Sequence, residues 1–426
     1  MKIFVLIFAA VIIGCLIAER ALAIRHRRAI KHVIHVNGTR GKSSVTRLIA
    51  AGLGAAQALK MPQGNIGAAA QKGDADSRLQ AGGLRVFCKT TGTLPMTING
   101  DGEEKLIARR GPANISEQIR TLKWAADDGA DALVAECMAV SPELAWTCEH
   151  KIFHSDVSVI TNARVDHVAE MGESTDDVAL ALSNTVPERG PVFTADAALA
   201  EFLKEKFAND VILADGGITD EEFAAAGIEP EKVAFPENYA LALAVCEYLG
   251  VSRGAALAGM SRFKPDPYDA AAYELPGGAV FVNAMSANDP QSTGMLLDRY
   301  RGGAQTGAGD VSHGDHPKSI GAVEPTENGR LYIVLNCRAD RGYRTKLMID
   351  FIKTVKPDGV YLMGDAAAAG RRLRTFAPKT VTPRELYEVM SKDAAGDMYF
   401  AIGNIARGGM ELMNLVEKGG KICTRR

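Results

Sequence analysis

The segment Val33-Ile34-His35-Val36-Asn37-Gly38-Thr39-Arg40-Gly41-Lys42-Ser43-Ser44 decides the fold of this 426-residue chain. Its first four residues form a short, mostly β-branched run that ends shortly before a glycine, which predicts a strand. Beyond the segment, apolar residues recur at helical spacing, namely Val45, Leu48, Ile49 and Leu53. The sequence therefore predicts a strand, a glycine-containing loop and a helix.

The loop between this strand and this helix is predicted to bind the phosphates of ATP, because backbone N–H groups at a helix N-terminus hold phosphate oxygens. The usual pattern G-x-x-x-x-G-K-[ST] requires a glycine at position 36, whereas this chain has Val36 and places the glycine at Gly38, which shortens the loop. We expect Lys42 to reach the β- and γ-phosphates and Ser43 to ligate Mg²⁺. The predicted nucleotide-binding residues of the loop are Gly38, Thr39, Arg40, Gly41, Lys42, Ser43 and Ser44.

The composition is that of a globular protein long enough for two hydrophobic cores. The chain has 49 Lys plus Arg and 51 Asp plus Glu, so it carries no bulk field that would attract nucleic acid. Its 7 cysteines are scattered, with no C-x-x-C pair and no zinc-finger spacing. This pattern is typical of reduced thiols in a cytoplasmic protein.

The N-terminus, residues 1–24, is predicted to be a membrane anchor. Ile3 to Ala18 is apolar or small throughout, and basic residues follow from Arg20 to Lys31. The run is slightly shorter than a bilayer core of about 30 Å, and Ala21 to Ile24 can extend it. Because positive charge lies after the run, the C-terminal side is expected to stay inside. This predicts a single-pass anchor in the inner (cytoplasmic) membrane, with the catalytic body in the cytoplasm.

A cleaved signal peptide is the alternative interpretation of the same residues. Lys2 provides a basic start, and Ala21-Leu22-Ala23 fits a small-x-small cleavage site. The phosphate loop follows soon afterwards, and ATP is available only inside the cell, which favours the anchor.

Apolar runs that alternate with helical patterns predict an α/β protein with parallel sheets. Two prolines among polar residues, in Phe263 to Pro267, predict a linker between domains. The expected division is an ATP-binding domain over 25–265 and a Rossmann-like α/β domain over 270–426. The stretch 302–329 is rich in Gly, Asp, His and Pro, which predicts a mobile loop.

The shortened loop resembles the G-T-x-G-K-[ST] loop of Mur-type amide ligases. Glu136, at the end of a predicted strand, resembles the Mg²⁺-binding glutamate of that superfamily. The segment Ile160 to His167 resembles its T-N-x-x-x-D-H motif, which implies a nucleotide-binding role for Asn162 and a metal-binding role for His167. The chain has no lysine from Asp166 to Leu203, where several Mur ligases carry a carbamylated lysine. Metal bridging is therefore expected from carboxylates or water.

Two segments of the second half resemble the nucleotide-facing parts of the same superfamily. Asn283 to Pro290 is similar to D-x-Y-A-H-N-P, with Asn283 in place of the Asp; the His either corresponds to Asn288 or is missing. The cluster Arg338, Asp340, Arg341 and Arg344 is similar to an R-x-D-R cluster. The resemblance implies nucleotide contacts from Asn283, Asn288 and Asp340 and catalytic roles for Arg338 and Arg341. A solvated charged turn is the alternative for the arginine cluster.

Together with the apolar N-terminus, Lys89-Thr90-Thr91-Gly92-Thr93 and Ile402-Gly403-Asn404 make the chain resemble the catalytic subunits of poly-γ-glutamate synthases. The resemblance implies ATP-dependent polymerisation of glutamate through an acyl phosphate, with catalysis by Lys42, Glu136 and His167 and with Mg²⁺ as cofactor. It also implies a growing poly-γ-glutamate chain and small membrane subunits of an export complex as partners. Whether the chain forms a homo-oligomer stays open.

Two other functions stay open as well: a folylpolyglutamate-type or other Mur-like ligase, and a membrane-tethered ATPase that supports polymer export. The polyanionic product needs cationic contacts, for which we predict Lys89, Arg109 and Arg110.

Overall fold

The computed structural model describes residues 2–54, 83–92, 94–109, 111, 113–230, 233, 235–266, 268–287, 289–301 and 329–423. The predictions at Arg110 and Asn288 and nearly all of the predicted loop 302–329 lie outside these residues. The chain divides into two compact units, one formed by Met1–Ile228 and Phe235–Pro265 and the other by Glu229–Ala234 and Asp266–Arg426.

The first unit contains an eight-stranded sheet with the order β4-β3-β2-β5-β1-β6-β7-β8. All its pairs are parallel except those that involve β3, which is antiparallel to both β2 and β4. The strands are β1 His32–Asn37, β2 Val86–Thr90, β3 Met96–Ile98, β4 Glu104–Leu106, β5 Ala132–Glu136, β6 Val157–Ile160, β7 Val192–Thr194 and β8 Val211–Leu213. Strand β1 lies inside the sheet and is buried from Val33 to Asn37, as its apolar run requires.

The helices of the first unit connect these strands and cover the sheet. They are α1 Lys2–Ala29, α2 Lys42–Leu53, α3 Ser116–Asp127, α4 Pro142–Thr147, a π-helix Cys148–Phe153, α5 Val168–Met171, α6 Thr175–Leu182, a 3₁₀ turn Ser183–Thr185, α7 Ala197–Lys206, α8 Asp220–Ala225, α9 Pro236–Tyr248 and α10 Arg253–Met260. Helix α2, which follows the phosphate loop, packs against α9 and α10. Gly52 allows this approach, because a Cβ there would lie 2.7 Å from the sulfur of Cys246.

Helix α1 continues past the predicted end of the anchor at residue 24 and reaches Ala29. Its segment Ile7–Ala29 is long and apolar enough to cross a membrane, with a mean hydropathy of 2.2 over an 18-residue window. The large apolar side chains described between Ile3 and Ile17 are 42% to 82% exposed. The helix is therefore a candidate membrane span, as predicted.

The second unit contains a seven-stranded sheet with the order β13-β12-β11-β14-β10-β9-β15. The strands from β13 to β10 in this order pair in parallel, and β9 is antiparallel to both of its neighbours. The strands are β9 Ala271–Glu274, β10 Val280–Asn283, β11 Leu331–Cys337, β12 Gly359–Gly364, β13 Lys379–Thr380, β14 Met398–Gly403 and β15 Lys421–Ile422. The helices are α11 Pro290–Tyr300, α12 Gly342–Val355, α13 Ala367–Arg372, α14 Pro383–Met390 and α15 Gly408–Gly419, with 3₁₀ turns Ala339–Arg341 and Arg374–Phe376.

Candidate active site

The phosphate loop lies between β1 and α2 and depends on two glycines. Gly38 has φ 129° and Gly41 has φ 80°, values that L side chains rarely adopt. A Cβ at Gly38 would lie 2.0 Å from the Thr161 hydroxyl, and one at Gly41 would lie 2.7 Å from Asn238 Oδ1. Both glycines are therefore required by backbone conformation and by close packing. The loop has the tight geometry that backbone phosphate binding needs.

Lys42 is the first residue of α2, and its side chain folds back over the loop. Its Nζ donates a hydrogen bond to the Gly38 carbonyl at 2.7 Å and lies 3.5 Å from the Thr39 carbonyl. Burial lowers the pKa of Lys42, although the charge of Glu136 acts in the opposite direction. The ammonium is thus held over the point where the strand ends and the helix begins, which is where the sequence predicts the phosphates.

Ser43 and Glu136 meet beside this loop. The Ser43 hydroxyl donates to Glu136 Oε2 at 2.8 Å, and the backbone N–H of Thr91 donates to the same oxygen at 2.7 Å. Glu136 ends β5 and is 3% exposed. The structure therefore brings together two of the three predicted metal ligands. The contact from Thr91 was missed by the sequence analysis, although Thr91 lies in a segment that it singled out.

The segment around Asn162 forms the other wall of the phosphate loop. Asn162 Oδ1 accepts from the backbone N–H of Arg40 at 3.0 Å, and the Asn162 carbonyl accepts from Thr39 N–H at 3.0 Å. The Thr161 hydroxyl donates to the Arg40 carbonyl at 2.5 Å. In this structure Asn162 therefore holds the loop from the side.

Asp166 and His167 continue this wall. Asp166 Oδ2 lies 2.9 Å from Arg40 Nη1, with both side chains 15% exposed. His167 has φ 48°, which is uncommon for a residue other than glycine, and its Nε2 lies 3.7 Å from Asp166 Oδ2. Arg40 is therefore paired with the motif that carries the predicted metal-binding histidine. No local pattern in the sequence indicates this pairing.

The donor set fits a hard divalent cation, because a hydroxyl and a carboxylate that converge within 2.8 Å of each other are ligands that Mg²⁺ prefers. Among the residues that the structure describes, no group of three or more His, Cys, Asp or Glu side chains forms a complete metal site. Ser43 and Glu136 therefore offer two adjacent oxygen donors beside the loop, and the metal-binding role of His167 stays a prediction.

The prediction that Lys89 contacts the substrate is wrong. Lys89 is fully buried, and its Nζ lies 3.1 Å from Glu117 Oε1. Arg109 donates to both oxygens of the same carboxylate, at 2.7 and 2.9 Å. Because a buried charge needs a partner, the two cations serve to compensate Glu117. They are already paired with a carboxylate of the chain itself.

In the second unit, the predicted arginine cluster lies at the carboxyl end of β11. Arg338 donates to both oxygens of Asp340, at 2.9 Å and 2.6 Å, and the Ala339 N–H donates to Asp365. Arg341 is exposed. The cluster is therefore partly neutralised by its own acids.

Hydrogen bonds connect the loops that follow β11 and β14, next to this cluster. The buried Asn336 side chain donates to the Asn404 and Ala406 carbonyls, and Arg344 Nη1 donates to Asn404 Oδ1 at 3.2 Å. Sequence reasoning assigned no role to Asn336. A buried polar residue near the end of an apolar strand was the available signal.

The structure contradicts the predicted nucleotide contact of Asn283. Its side chain is fully buried and donates to the carbonyls of Tyr268 and Asp269, at 2.9 and 3.1 Å. Its Oδ1 accepts from the Met285 N–H at 3.2 Å. Asn283 instead fixes the chain that enters the second unit.

Known proteins share both the sequence and the fold of this chain. A family model described as the poly-gamma-glutamate synthase CapB C-terminal domain matches residues 272–419. The PGA synthase CapB of Bacillus subtilis (strain 168) is 30% identical over 424 residues, with 94% of each chain covered. The capsule biosynthesis protein CapB of Bacillus anthracis is 31% identical over 344 residues, which are 79% of this chain and 63% of that protein. The chain thus spans less than two thirds of the second relative.

Among solved structures, the bifunctional folylpolyglutamate synthase/dihydrofolate synthase of Yersinia pestis with AMPPNP and Mn ion has a TM-score of 0.61 at 14% identity. The alignment covers 93% of this chain and 92% of that one. MurF of Acinetobacter baumannii has a TM-score of 0.56 at 15% identity, covering 94% and 80%. At these identities the likeness shows the fold alone.

The fold is that of the Mur-type ligases, and together with the relationship to a PGA synthase it makes the chain an ATP-dependent ligase. Within this class, the chain belongs to the CapB family of poly-γ-glutamate synthases. The predicted resemblance and the predicted fold class are both confirmed.

Proposed function

We propose that this chain polymerises glutamate into poly-γ-glutamate through an acyl-phosphate intermediate. The observation that carries the proposal is the convergence of Ser43 and Glu136 beside the Lys42 loop, in a chain related over 94% of its length to a PGA synthase. A loop that binds phosphate and a carboxylate that binds metal are the parts that ATP-driven activation of a carboxylate requires.

In the proposed reaction, the carboxylate at the end of the growing chain attacks the γ-phosphorus of ATP, and ADP leaves. The amine of the next glutamate then attacks the acyl carbon, forms the amide and displaces phosphate. Lys42 leaves the Gly38 carbonyl to neutralise the β- and γ-phosphates, while backbone N–H groups of the loop orient them. Gly38 and Gly41 permit this approach, because side chains at either position would fill the loop.

Ser43, Glu136 and His167 are the residues that would hold Mg²⁺. The ion would supply charge neutralisation on the transferring phosphoryl group. Glu136 is prepared for this task, because Ser43 and the Thr91 N–H both fix one of its oxygens. We propose that Arg338 and Arg341 are catalytic residues that stabilise charge on a transferring phosphoryl group and that Asp340 positions Arg338.

We also propose that helix α1 anchors the enzyme in the cytoplasmic membrane and that the polymer passes to small membrane subunits. Support comes from the exposed apolar surface of the helix between Ile3 and Ile17. A protein cleaved after Ala23 would lack this surface. Mass measurement of the N-terminus in the isolated membrane fraction therefore separates an anchor from a signal peptide.

The activity is tested by incubating the full chain, in detergent with its membrane subunits, with ATP, Mg²⁺ and labelled glutamate. We expect labelled polymer, ADP and phosphate, and a hydroxamate when hydroxylamine traps the acyl phosphate. ADP without an amide product would instead indicate an ATPase. Product formed only when folate is added would indicate a folylpolyglutamate-type ligase, the activity that the first structural neighbour is named for. Lys42→Ala is the control for ATP-dependent turnover.

A further inference from the structure

Helix α1 has two halves with different surroundings. From Ile3 to Ile17 its described large apolar side chains are exposed, whereas from Arg20 onwards it packs against α3 and the π-helix of the first unit. Ala23 is 7% exposed, and Ile30, just past the helix, is 2% exposed. The large apolar side chains described in the first half are exposed, whereas the second half is part of the folded unit.

Specific hydrogen bonds fix the second half. Arg27 donates to the carbonyls of Phe153 and His154, and its Nη2 lies 2.8 Å from Asp156 Oδ2. Arg20 donates to the carbonyl of Lys151. The helix therefore enters the first unit at a defined position and angle.

The contact between Arg20 and Lys151 shows which part of the first unit lies beside the end of the apolar run of α1. Arg20 follows Ala18, the last residue of the uncharged run, by two positions, which is about 3 Å along a helix axis. Lys151 therefore lies at the height where the apolar stretch gives way to charge. In a helix that crosses a bilayer, this is the depth of the lipid headgroups.

An exposed aromatic side chain lies at Lys151. Trp146 is 42% exposed, its ring centre lies 5.0 Å from Lys151 Nζ, and the ring of His150 lies 5.1 Å away. Tryptophan and lysine are the side chains that prefer the boundary between lipid and water, because each joins an apolar body to a polar end.

The inner side of the same helical stretch is fixed to the sheet. Glu149, in the π-helix, lies 2.8 Å from His35 Nδ1 on β1, and Phe153 packs edge-on to the His35 ring. Ile152 and Phe153 are buried, 7% and 0% exposed. Trp146 and Lys151 are therefore presented outward by a rigid support.

The charge that follows the apolar run in the sequence favours an anionic surface, although Arg27 is paired with Asp156. Between Glu19 and Lys31 the chain carries five strongly basic side chains against one acid, Glu19. The basic residues are Arg20, Arg25, Arg27, Arg28 and Lys31. Each Lys or Arg close to an anionic bilayer contributes about 1 kcal/mol of attraction.

We propose that Trp146 and Lys151, together with Arg20, form a docking surface for the headgroups of an anionic bilayer. The anchor then has a second membrane contact beside it, formed by the folded unit. This inference rests on the membrane anchoring proposed above, and it adds that the catalytic unit lies flat against the lipid in a fixed orientation.

The test uses the two tryptophans of the chain, Trp124 and Trp146. The full-length Trp124→Phe variant, whose remaining tryptophan is Trp146, is reconstituted in nanodiscs with and without phosphatidylglycerol. Lipids brominated near the headgroup or near the chain end act as quenchers. We expect quenching of Trp146 that is strongest for bromine near the headgroup and that increases with anionic lipid.

The matched control moves the tryptophan to β4, the edge strand that lies four places from β1 in the sheet. Leu106 is 51% exposed and is the last residue of β4, which runs in the same direction as β1, so it lies at the edge where the phosphate loop is found. In a Trp124→Phe, Trp146→Phe, Leu106→Trp variant we expect no quenching.

A second pair of variants tests the charge. Lys151→Ala should lower the ratio of docked to undocked molecules about fivefold, the factor equivalent to the loss of one surface charge. Lys206→Ala is the control, because Lys206 makes a similar contact with Phe202, 4.9 Å from its ring centre, elsewhere on the first unit. It should leave the quenching of Trp146 unchanged.

The outcomes separate this inference from the anchor. A chain that floats with vesicles but whose Trp146 is not quenched would overturn the docking surface and leave the anchor intact. A chain that fails to float with vesicles would overturn both. Equal quenching in the Leu106→Trp control would also overturn the inference, because it would show a surface without preferred orientation.

Discussion

The hydroxyl of Ser43 lies 2.8 Å from the carboxylate of Glu136, although 93 residues separate the two in the chain. Glu136→Gln preserves the shape and removes the charge. We expect ligase activity to fall about 100-fold or more, the scale of losing one preorganised electrostatic contact. Labelled-glutamate incorporation measures it. The exposed Glu201→Gln on α7 is the control, and unchanged activity of Glu136→Gln would remove Glu136 from the metal site.

Gly38 is expected to tolerate no side chain. In Gly38→Ala the new Cβ would meet Thr161 Oγ1 at 2.0 Å, in a backbone conformation that costs on the order of 1–3 kcal/mol. We expect loss of nucleotide binding, measured by calorimetry, and a lower melting temperature. Gly102→Ala separates the cost of the backbone conformation from the cost of the steric clash. Gly102 has φ 81°, but a Cβ added there would have no neighbouring atom within 4 Å. It should cost stability only, by about 1 kcal/mol. Normal nucleotide affinity of Gly38→Ala would contradict the loop geometry.

His167 is expected to act through metal binding. His167→Asn is the informative variant, since asparagine tolerates the positive φ of 48° while the imidazole is lost. The Mg²⁺ concentration for half-maximal rate should rise about 10-fold or more, in line with losses at metal sites. His154→Asn, at another positive φ of 43°, is the control. An unchanged Mg²⁺ requirement would leave His167 with a structural role.

Arg341 is expected to support turnover without binding nucleotide. Because the Arg341 side chain is exposed, it is available to stabilise charge on a transferring phosphoryl group. We therefore expect Arg341→Ala to lower the rate of glutamate incorporation about 10-fold, with nucleotide affinity retained. Arg384→Ala is the matched control, because Arg384 is an exposed arginine of the same unit that pairs with Glu388 at 3.4 Å. Equal effects of the two substitutions would favour a solvated charged turn.

Glu117 is expected to contribute stability that depends on pH. Burial raises its pKa, but the hydrogen bonds from Arg109 and the charge of Lys89 outweigh burial, so that the folded pKa lies below its usual value of 4.5. Its contribution is therefore present above pH 4.5 and is lost as the pH falls through the folded pKa. Glu117→Gln leaves Lys89 unpaired and should destabilise by about 3–5 kcal/mol.

Denaturant unfolding across a pH series measures this effect. The difference between the parent and Glu117→Gln should be constant above pH 4.5 and should narrow below it. Glu103→Gln removes an exposed carboxylate and should neither lower the free energy of unfolding nor change its dependence on pH. A difference that does not depend on pH would mean that Glu117 acts by packing.

Local patterns predicted the strand ends that carry the phosphate loop, Glu136 and Asn162, because the residues of each strand specify it, whereas the binding roles of Glu136 and Asn162 rest on the resemblance to Mur-type ligases and stay predictions. The hydrogen bond from Thr91 could not be predicted, since it depends on β2 lying next to β5. Lys89 was misassigned for a similar reason. Its charge is visible in the sequence, whereas its burial against Glu117 is created by the packing of α3 on the sheet. Asn283 was misassigned because its side-chain amide donates hydrogen bonds to two backbone carbonyls that lie 14 and 15 residues away in the chain.

Only Ile30 and Lys31 separate helix α1 from β1, and β1 leads without interruption into the phosphate loop. Six residues of strand span about 20 Å, so one helix and one strand connect the candidate ATP site to the proposed anchor. In the proposed anchored polymerase, the described residues between helix and loop provide no flexible tether with which the site could follow its product. In the proposed reaction the poly-γ-glutamate chain must therefore move past the site by one residue after each addition. The process that moves the polymer is distinct from the reaction that forms the amide bond.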